Sequence, residues 1–111
     1  PYSMEHPSEL NRAFVKAFKE AAGADAMPSI MAVGGYDAMA LIYAALNETG
    51  GDTDGTALVE AMKGMEWESP RGPISIDPET RDIVQNIYLR KVEKVDDHYG
   101  NVEFQTFEPA K

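Results

Sequence analysis

The sequence predicts an α/β chain in which three helices precede three strands, the last two of them a C-terminal hairpin. Three observations lead there. Apolar residues recur at helical spacing up to Gly64 and alternate beyond it. Capping and stopping residues bracket each helical stretch. Between them, Ser69-Pro70-Arg71-Gly72-Pro73 forbids helix and opens the extended part of the chain.

Residues 1–7 read as irregular, with Pro7 leading into a helix over about 8–22. Ser8 is placed to cap it, and Glu9 suits the positive end of the helix dipole. Leu10, Phe14, Ala17, Phe18 and Ala21 form one apolar stripe, and Gly23 is a natural stop. The second helix spans about 29–48, from Ser29 to just before Gly50-Gly51. From Pro28 to Leu46 it is apolar nearly all round, so it is expected to be buried between other elements. A chain of 111 residues can hardly surround such a helix, so the sequence is expected to belong to something larger. The third helix, about 54–63, has cap candidates in Asp52 to Asp54, a buried face of Leu58, Val59 and Met62, and a stop at Gly64.

Trp67 falls in a loop or a short extended piece. Ile74-Ser75-Ile76 alternates as a strand over about 72–76, and Asp77-Pro78-Glu79-Thr80 is a turn. A long, half-exposed strand runs from Ile83 to Val95. Asp96 to Asn101 reads as a hairpin loop, and Val102 to Phe107 as the return strand. An isolated hairpin is marginal in water, so these strands want a sheet to join.

The formal net charge is −9. Residues 1–60 carry nine acids and three bases, and residues 61–111 ten acids and seven bases. Neither half offers a basic stripe, which argues against nucleic acid and against an anionic membrane surface. There is no cysteine, hence no disulfide framework and no thiolate site. No apolar run approaches the roughly 20 residues needed to span a bilayer. No signal peptide is visible, and with Pro1 rather than Met at the start the natural N-terminus is expected to lie outside the sequence.

An enzymatic reading fails on inventory. His6 and His98 fall in predicted irregular segments without zinc-motif spacing. Asp52-Thr53-Asp54-Gly55 resembles the start of a calcium loop, but the position that needs glutamate is Lys63. No glycine-rich phosphate loop follows a strand, and no serine has a histidine partner in a known motif. The expectation is a non-enzyme without cofactor or metal.

The order of features resembles the C-terminal part of an extracytoplasmic solute-binding protein of the type I periplasmic-binding fold, in the leucine/isoleucine/valine-type receptor family of ABC transporters. The resemblance is carried by Asn11 to Phe18, Pro28 to Ala38, Ala44-Ala45-Leu46, Thr49-Gly50-Gly51, Gly72 to Asp77, and the strand Gln85 to Val95. It implies a fold of two α/β lobes joined by three crossing strands, of which this chain is roughly the last third. Residues 1–76 would be part of the first lobe, and 77–111 the final crossover and the strand hairpin. It further implies capture of a small amino-acid-like solute by hinged closure, a membrane permease as partner, and a periplasmic location. The alternatives are a ligand-sensing domain of the same fold acting through a protein partner, or self-association through exposed strand edges and the apolar helix.

For the site, the resemblance implies that Tyr36 faces the cleft, where its aromatic face and polar tip suit a small amphipathic solute. The other reading of Tyr36 is a core residue with its hydroxyl satisfied. Gly34 and Gly35 each cost roughly 1 kcal/mol in a helix, so something is expected to come close to the backbone there, ligand or packed element. Asp37 is either an ammonium ligand or a solvent-facing first-turn carboxylate. Arg71 either grips a carboxylate or marks a surface turn, and Trp67 lines either the cleft or the core.

Overall fold

The computed structural model describes residues 2–110; Pro1 and Lys111, the ends of the two expected spans, lie outside the described residues. The three helices form where the caps place them. Helix α1, Glu9–Ala22, is capped by Ser8, whose side chain accepts from the Asn11 amide at 3.0 Å, and it ends at Gly23 with φ 115. Helix α2, Ile30–Glu48, is capped by Ser29, and α3, Gly55–Met62, by Asp54, which accepts from the Ala57 amide. Side-chain oxygens at these positions satisfy amide donors that the first helical turn leaves free.

The strands are divided more finely than the sequence pattern suggests. Strands β1 (Glu66–Ser69), β2 (Gly72–Ile76) and β3 (Ile83–Gln85) make one antiparallel sheet in that order. Strands β4 (Ile87–Val95) and β5 (His98–Phe107) make a separate two-stranded sheet. Trp67 therefore lies on a strand and pairs with Ile74. The expected long strand from Ile83 breaks at Asn86 and serves both sheets. The hairpin loop is only Asp96-Asp97, because Val95 already pairs with His98; Asp96 takes φ 54 to make the tight turn. Leu89 pairs with Gln105 and Arg90 with Glu103, so Phe104 is an extra residue that bulges β5.

The apolar core sits between α1, the start of α2 and the extended segment 2–7. Tyr2, Phe14 and Val33 are its buried centre, with Met4, Val15, Phe18, Ile30 and Ala32 around them. Buried Asn11 fastens that segment: it accepts from the Tyr2 hydroxyl at 2.7 Å and donates to the carbonyls of Met4 and His6, both at 2.9 Å. The radius of gyration is 15.7 Å, against about 13 Å for a compact domain of this length. The molecule is a slab 19 Å thick, too thin to cover both sides of its helices.

That thinness corrects the expectation that α2 is buried. Met31 is 82% exposed and Tyr43 61%, and only Val33, Asp37 and Ala45 are buried along its length. The chain supplies α3, part of α1 and one small sheet to cover α2, and these reach only part of its circumference. By length and composition alone α2 is also apolar enough to cross a membrane, which the sequence reading did not anticipate. In this fold, however, a buried ion pair at Asp37 ties it to the β1–β2 turn.

Candidate functional site

The N-terminus of α2 opens onto a groove of about 410 Å³. Three segments distant in sequence line it: Tyr2 to Met4, Met27 to Ile30, and His98 to Asn101 of the hairpin. Ser29 accepts from the Met31 amide at 3.2 Å, and the first-turn amides of a helix present partial positive charge at this end. Met4 and the exposed Met27 line the groove, giving it adaptable, polarizable apolar walls. The Ser3 hydroxyl donates to the Asn101 carbonyl at 2.5 Å and closes the floor between the first and third segments. Burial, reinforced by the nearby Glu5 and Glu103 carboxylates, pushes the Tyr2 phenol well above its ordinary range, so it stays a neutral donor.

The residues singled out from sequence do not converge on this groove. Tyr36 lies one turn further along α2 and faces α1, its ring edge-on to Phe14 at 5.0 Å. It lines an apolar groove of about 340 Å³ with Leu10, Ala13, Phe14, Ala17 and Phe18, and is 45% exposed. Gly34 and Gly35 have no close neighbour: a Cβ on either would meet nothing within 4 Å. The close approach expected at these glycines is therefore not made by this chain's own described residues. Gly35 follows Met31 by one turn on the same helix face, so the open stripe runs from the groove along α2.

Asp37 corrects the expectation of a solvent-facing carboxylate. It is 4% exposed, and its Oδ2 accepts from the Ser69 hydroxyl at 2.8 Å and from Arg71 Nε at 2.9 Å. Arg71 both makes the turn and grips a carboxylate, and that carboxylate belongs to α2 of the same chain. Its guanidinium also reaches Gln85 Oε1 at 3.5 Å. One oxygen of the Asp37 carboxylate is thus engaged by a cation, while Oδ1 is buried without a partner among the described residues. Trp67 borders two shallow grooves, and its indole N–H is buried without a partner among the described residues.

His6 stays in the irregular segment before α1, whereas His98 leaves its expected loop. His6 Nδ1 donates to Glu103 at 2.8 Å, and His98, on β5 rather than in a loop, contacts Glu5 at 3.4 Å. Both pairs stitch the segment 2–6 to the hairpin. Sequence reasoning missed Asn11, Ser69, Gly72 and Tyr88. Only Gly72 carried a signal, as a glycine after Pro-Arg in a turn.

Comparison with known proteins fits this architecture. Residues 1–98 match the family model described as periplasmic binding protein. The chain is 55% identical over 108 residues to the Leu/Ile/Val-binding protein homolog 6 of Brucella abortus (strain 2308), covering 96% of this chain and 28% of that protein. It also matches a solute binding protein of an ABC transporter from Rhodopseudomonas palustris BisB5, solved in complex with 3,4-dihydroxy benzoic acid. That match has 60% identity and a TM-score of 0.94, over 99% of this chain and 30% of that one. A similar protein from Rhodopseudomonas palustris HaA2, solved with p-hydroxybenzoic acid, gives 44% identity and a TM-score of 0.88, over 99% and 30%. The chain spans a little under a third of the length of each of these relatives. Its three helices and two antiparallel sheets are the corresponding portion of a type I periplasmic-binding fold, and the chain belongs to the periplasmic binding protein family.

Proposed function

We propose that the chain forms one wall of the binding cleft of a periplasmic solute-binding receptor, which captures a small organic carboxylate and delivers it to the membrane permease of an ABC transporter. The observation that carries this is the groove at the α2 N-terminus. Its volume suits a small solute, and three separate segments meet there. A carboxylate set against the first turn of α2 gains from amide donors and from the helix dipole. The methionine walls suit an aromatic ring. An aromatic acid is favoured over a leucine-type solute because the similar solute-binding proteins of 60% and 44% identity were solved with hydroxybenzoic acids. Within this reading, the three helices and β1 to β3 form one lobe up to Gln85, and the hairpin β4–β5 belongs to the crossing. Gly35 extends the open face behind Met31, and Tyr36 supplies an aromatic wall on the α1 side.

Isothermal titration of the natural full-length protein tests this, using 3,4-dihydroxybenzoate, 4-hydroxybenzoate and L-leucine. The expected result is tighter binding of the aromatic acids by about tenfold or more, or about 1.4 kcal/mol. Met27→Glu places a negative charge at the groove and is expected to abolish binding. Tyr36→Ala decides whether the α1-side groove takes part: loss of affinity would bring Tyr36 into the cleft. Preference for leucine would overturn the solute class, and silence with every solute would overturn the cleft.

A further inference from the structure

The hairpin β4–β5 leaves the body at Asn86, and among the described residues no helix or other strand packs broadly on it. Side-chain contacts hold it in place. Towards the segment 2–6 these are Ser3 to Asn101, His6 to Glu103, and the Arg90 guanidinium to the Tyr2 carbonyl at 2.6 Å. A different contact runs to the three-stranded sheet. The Tyr88 hydroxyl donates to the Arg71 carbonyl, in the turn between β1 and β2, at 2.7 Å.

The surroundings of that contact are shaped for it. Gly72 stands at φ 103, where side chains are strongly disfavoured, and a Cβ there would collide with the Tyr88 hydroxyl. Tyr88 is buried on the otherwise exposed strand β4, its ring 5.2 Å from that of His6. The turn that receives it is itself immobilised from the far side, where Asp37 of α2 holds both Ser69 and Arg71. A continuous rod of contacts therefore runs from the middle of α2, through the turn, to β4.

We propose that Tyr88, seated over Gly72, is a latch that fixes the angle between the helix-and-sheet body and the hairpin. Without the hydroxyl contact, the backbone at Asn86 is a pivot on that side, restrained among the described residues through the segment 2–6. The consequence for solute capture rests on the function proposed above: where two lobes close on a solute, the latch sets the angle from which closure starts.

These 111 residues contain no cysteine, so labels attached to introduced cysteines provide a direct test. Spin labels on exposed Thr56 of α3 and exposed Glu93 of β4 report the body-to-hairpin distance by pulsed dipolar spectroscopy. A second pair, on exposed Lys16 and Thr56, reports the body alone. The measurement is made without solute, in the protein's native sequence context, so a failure of solute binding leaves its outcome untouched. The unsubstituted protein is expected to give one narrow maximum for each pair. Tyr88→Phe is expected to broaden or split the body-to-hairpin distribution and to leave the body pair unchanged. Gly72→Ala is expected to do the same by expelling the ring. Should Gly72→Ala disrupt the turn itself, the body pair will show it, and Tyr88→Phe then decides. A body-to-hairpin distribution in Tyr88→Phe that superposes on the unsubstituted one overturns the latch. Broadening of both pairs also overturns it, because Tyr88 would then be a general packing residue.

Discussion

The body of the molecule and its hairpin are held by different forces. In the body, α1, α2 and the segment 2–7 bury Tyr2, Phe14 and Val33 together, and every helix starts on a side-chain cap. The hairpin buries Tyr88 but leaves Leu89, Val92, Phe104 and Phe107 exposed, and is positioned by polar contacts. Apolar burial is non-directional and tolerates small shifts, whereas a hydrogen bond or ion pair specifies an angle. The difference teaches that the body derives its stability from the layer itself. The hairpin derives its orientation from a few contacts, some joining residues nearly a hundred positions apart.

The largest effect that would break this comparison belongs to the body. Phe14→Ala removes the ring on which Tyr2, Phe18 and Tyr36 pack, and is expected to cost about 3 to 4 kcal/mol. Urea unfolding followed by Trp67 fluorescence measures it. The matching hairpin substitution, Phe104→Ala, is expected to stay within about 0.5 kcal/mol because the ring is exposed. Equal losses would mean that the hairpin carries core stability after all.

Next comes the ion pair inside the body. Asp37→Ala leaves the Arg71 guanidinium, only 11% exposed, without its carboxylate, and a loss of about 3 kcal/mol is expected. Adding Arg71→Met should recover much of that loss, since the uncompensated charge is then gone. A double variant no more stable than Asp37→Ala would show that the pair acts through the Ser69 contact instead. Gly72→Ala is expected to cost about 2 kcal/mol through its positive φ and the displaced Tyr88 ring. Tyr88→Phe alone should cost about 1 kcal/mol.

How far these features could be read from sequence follows the same division. The body was legible because its signals are local. Ser8, Ser29 and Asp54 each precede an apolar stretch, and Gly23 and Gly64 mark breaks. Strand β1 stayed open between a loop and a short extended piece because Glu66-Trp67-Glu68-Ser69 has neither length nor β-branched residues to announce it. The break at Asn86 was hidden inside a continuous run of strand formers. Exposure of α2 was misjudged because periodicity reports which residues avoid water, while burial also depends on how much chain is present to cover them. The Asp37–Arg71 pair joins residues 34 apart with no periodic relation, so either partner alone read as surface. Tyr88 was invisible for the same reason, although Gly72 marked the place it fills.

An alkaline titration sharpens the comparison without mutation. Burial raises the Tyr2 and Tyr88 phenols above their ordinary value near 10. A raised folded value means that the folded state holds its proton more tightly than the unfolded chain. The associated stability is complete below about pH 10 and is lost as pH rises from there towards the folded values. Absorbance at 295 nm should show a late step for Tyr2 and Tyr88, above the ordinary phenol range. Labels on Thr56 and Glu93 should separate in that late step, because both phenols help to hold the hairpin side. Ionisation of Tyr2 and Tyr88 in the ordinary phenol range would contradict their burial.

The smallest effect lies at the edge of the body, in the loop between β2 and β3. Asp77 is half-exposed, and its carboxyl is held below the usual carboxylate range by hydrogen bonds from the Thr80 and Glu79 amides. Here the sign is opposite to that of the tyrosines. A depressed folded value contributes stability above the unfolded value near 3.8, which is lost as pH falls through the folded one. Acidification should therefore loosen the loop residues 77–82 and raise amide exchange at Thr80 and Glu79 first. The hairpin's orientation should be unchanged, because none of its positioning contacts passes through this loop. Asp77→Asn keeps one acceptor oxygen and should remove the pH dependence of exchange at these two amides while leaving the loop formed. Movement of the hairpin on acidification through this range would show that β3 transmits loop order across Asn86, and the two regions would then be one mechanical unit.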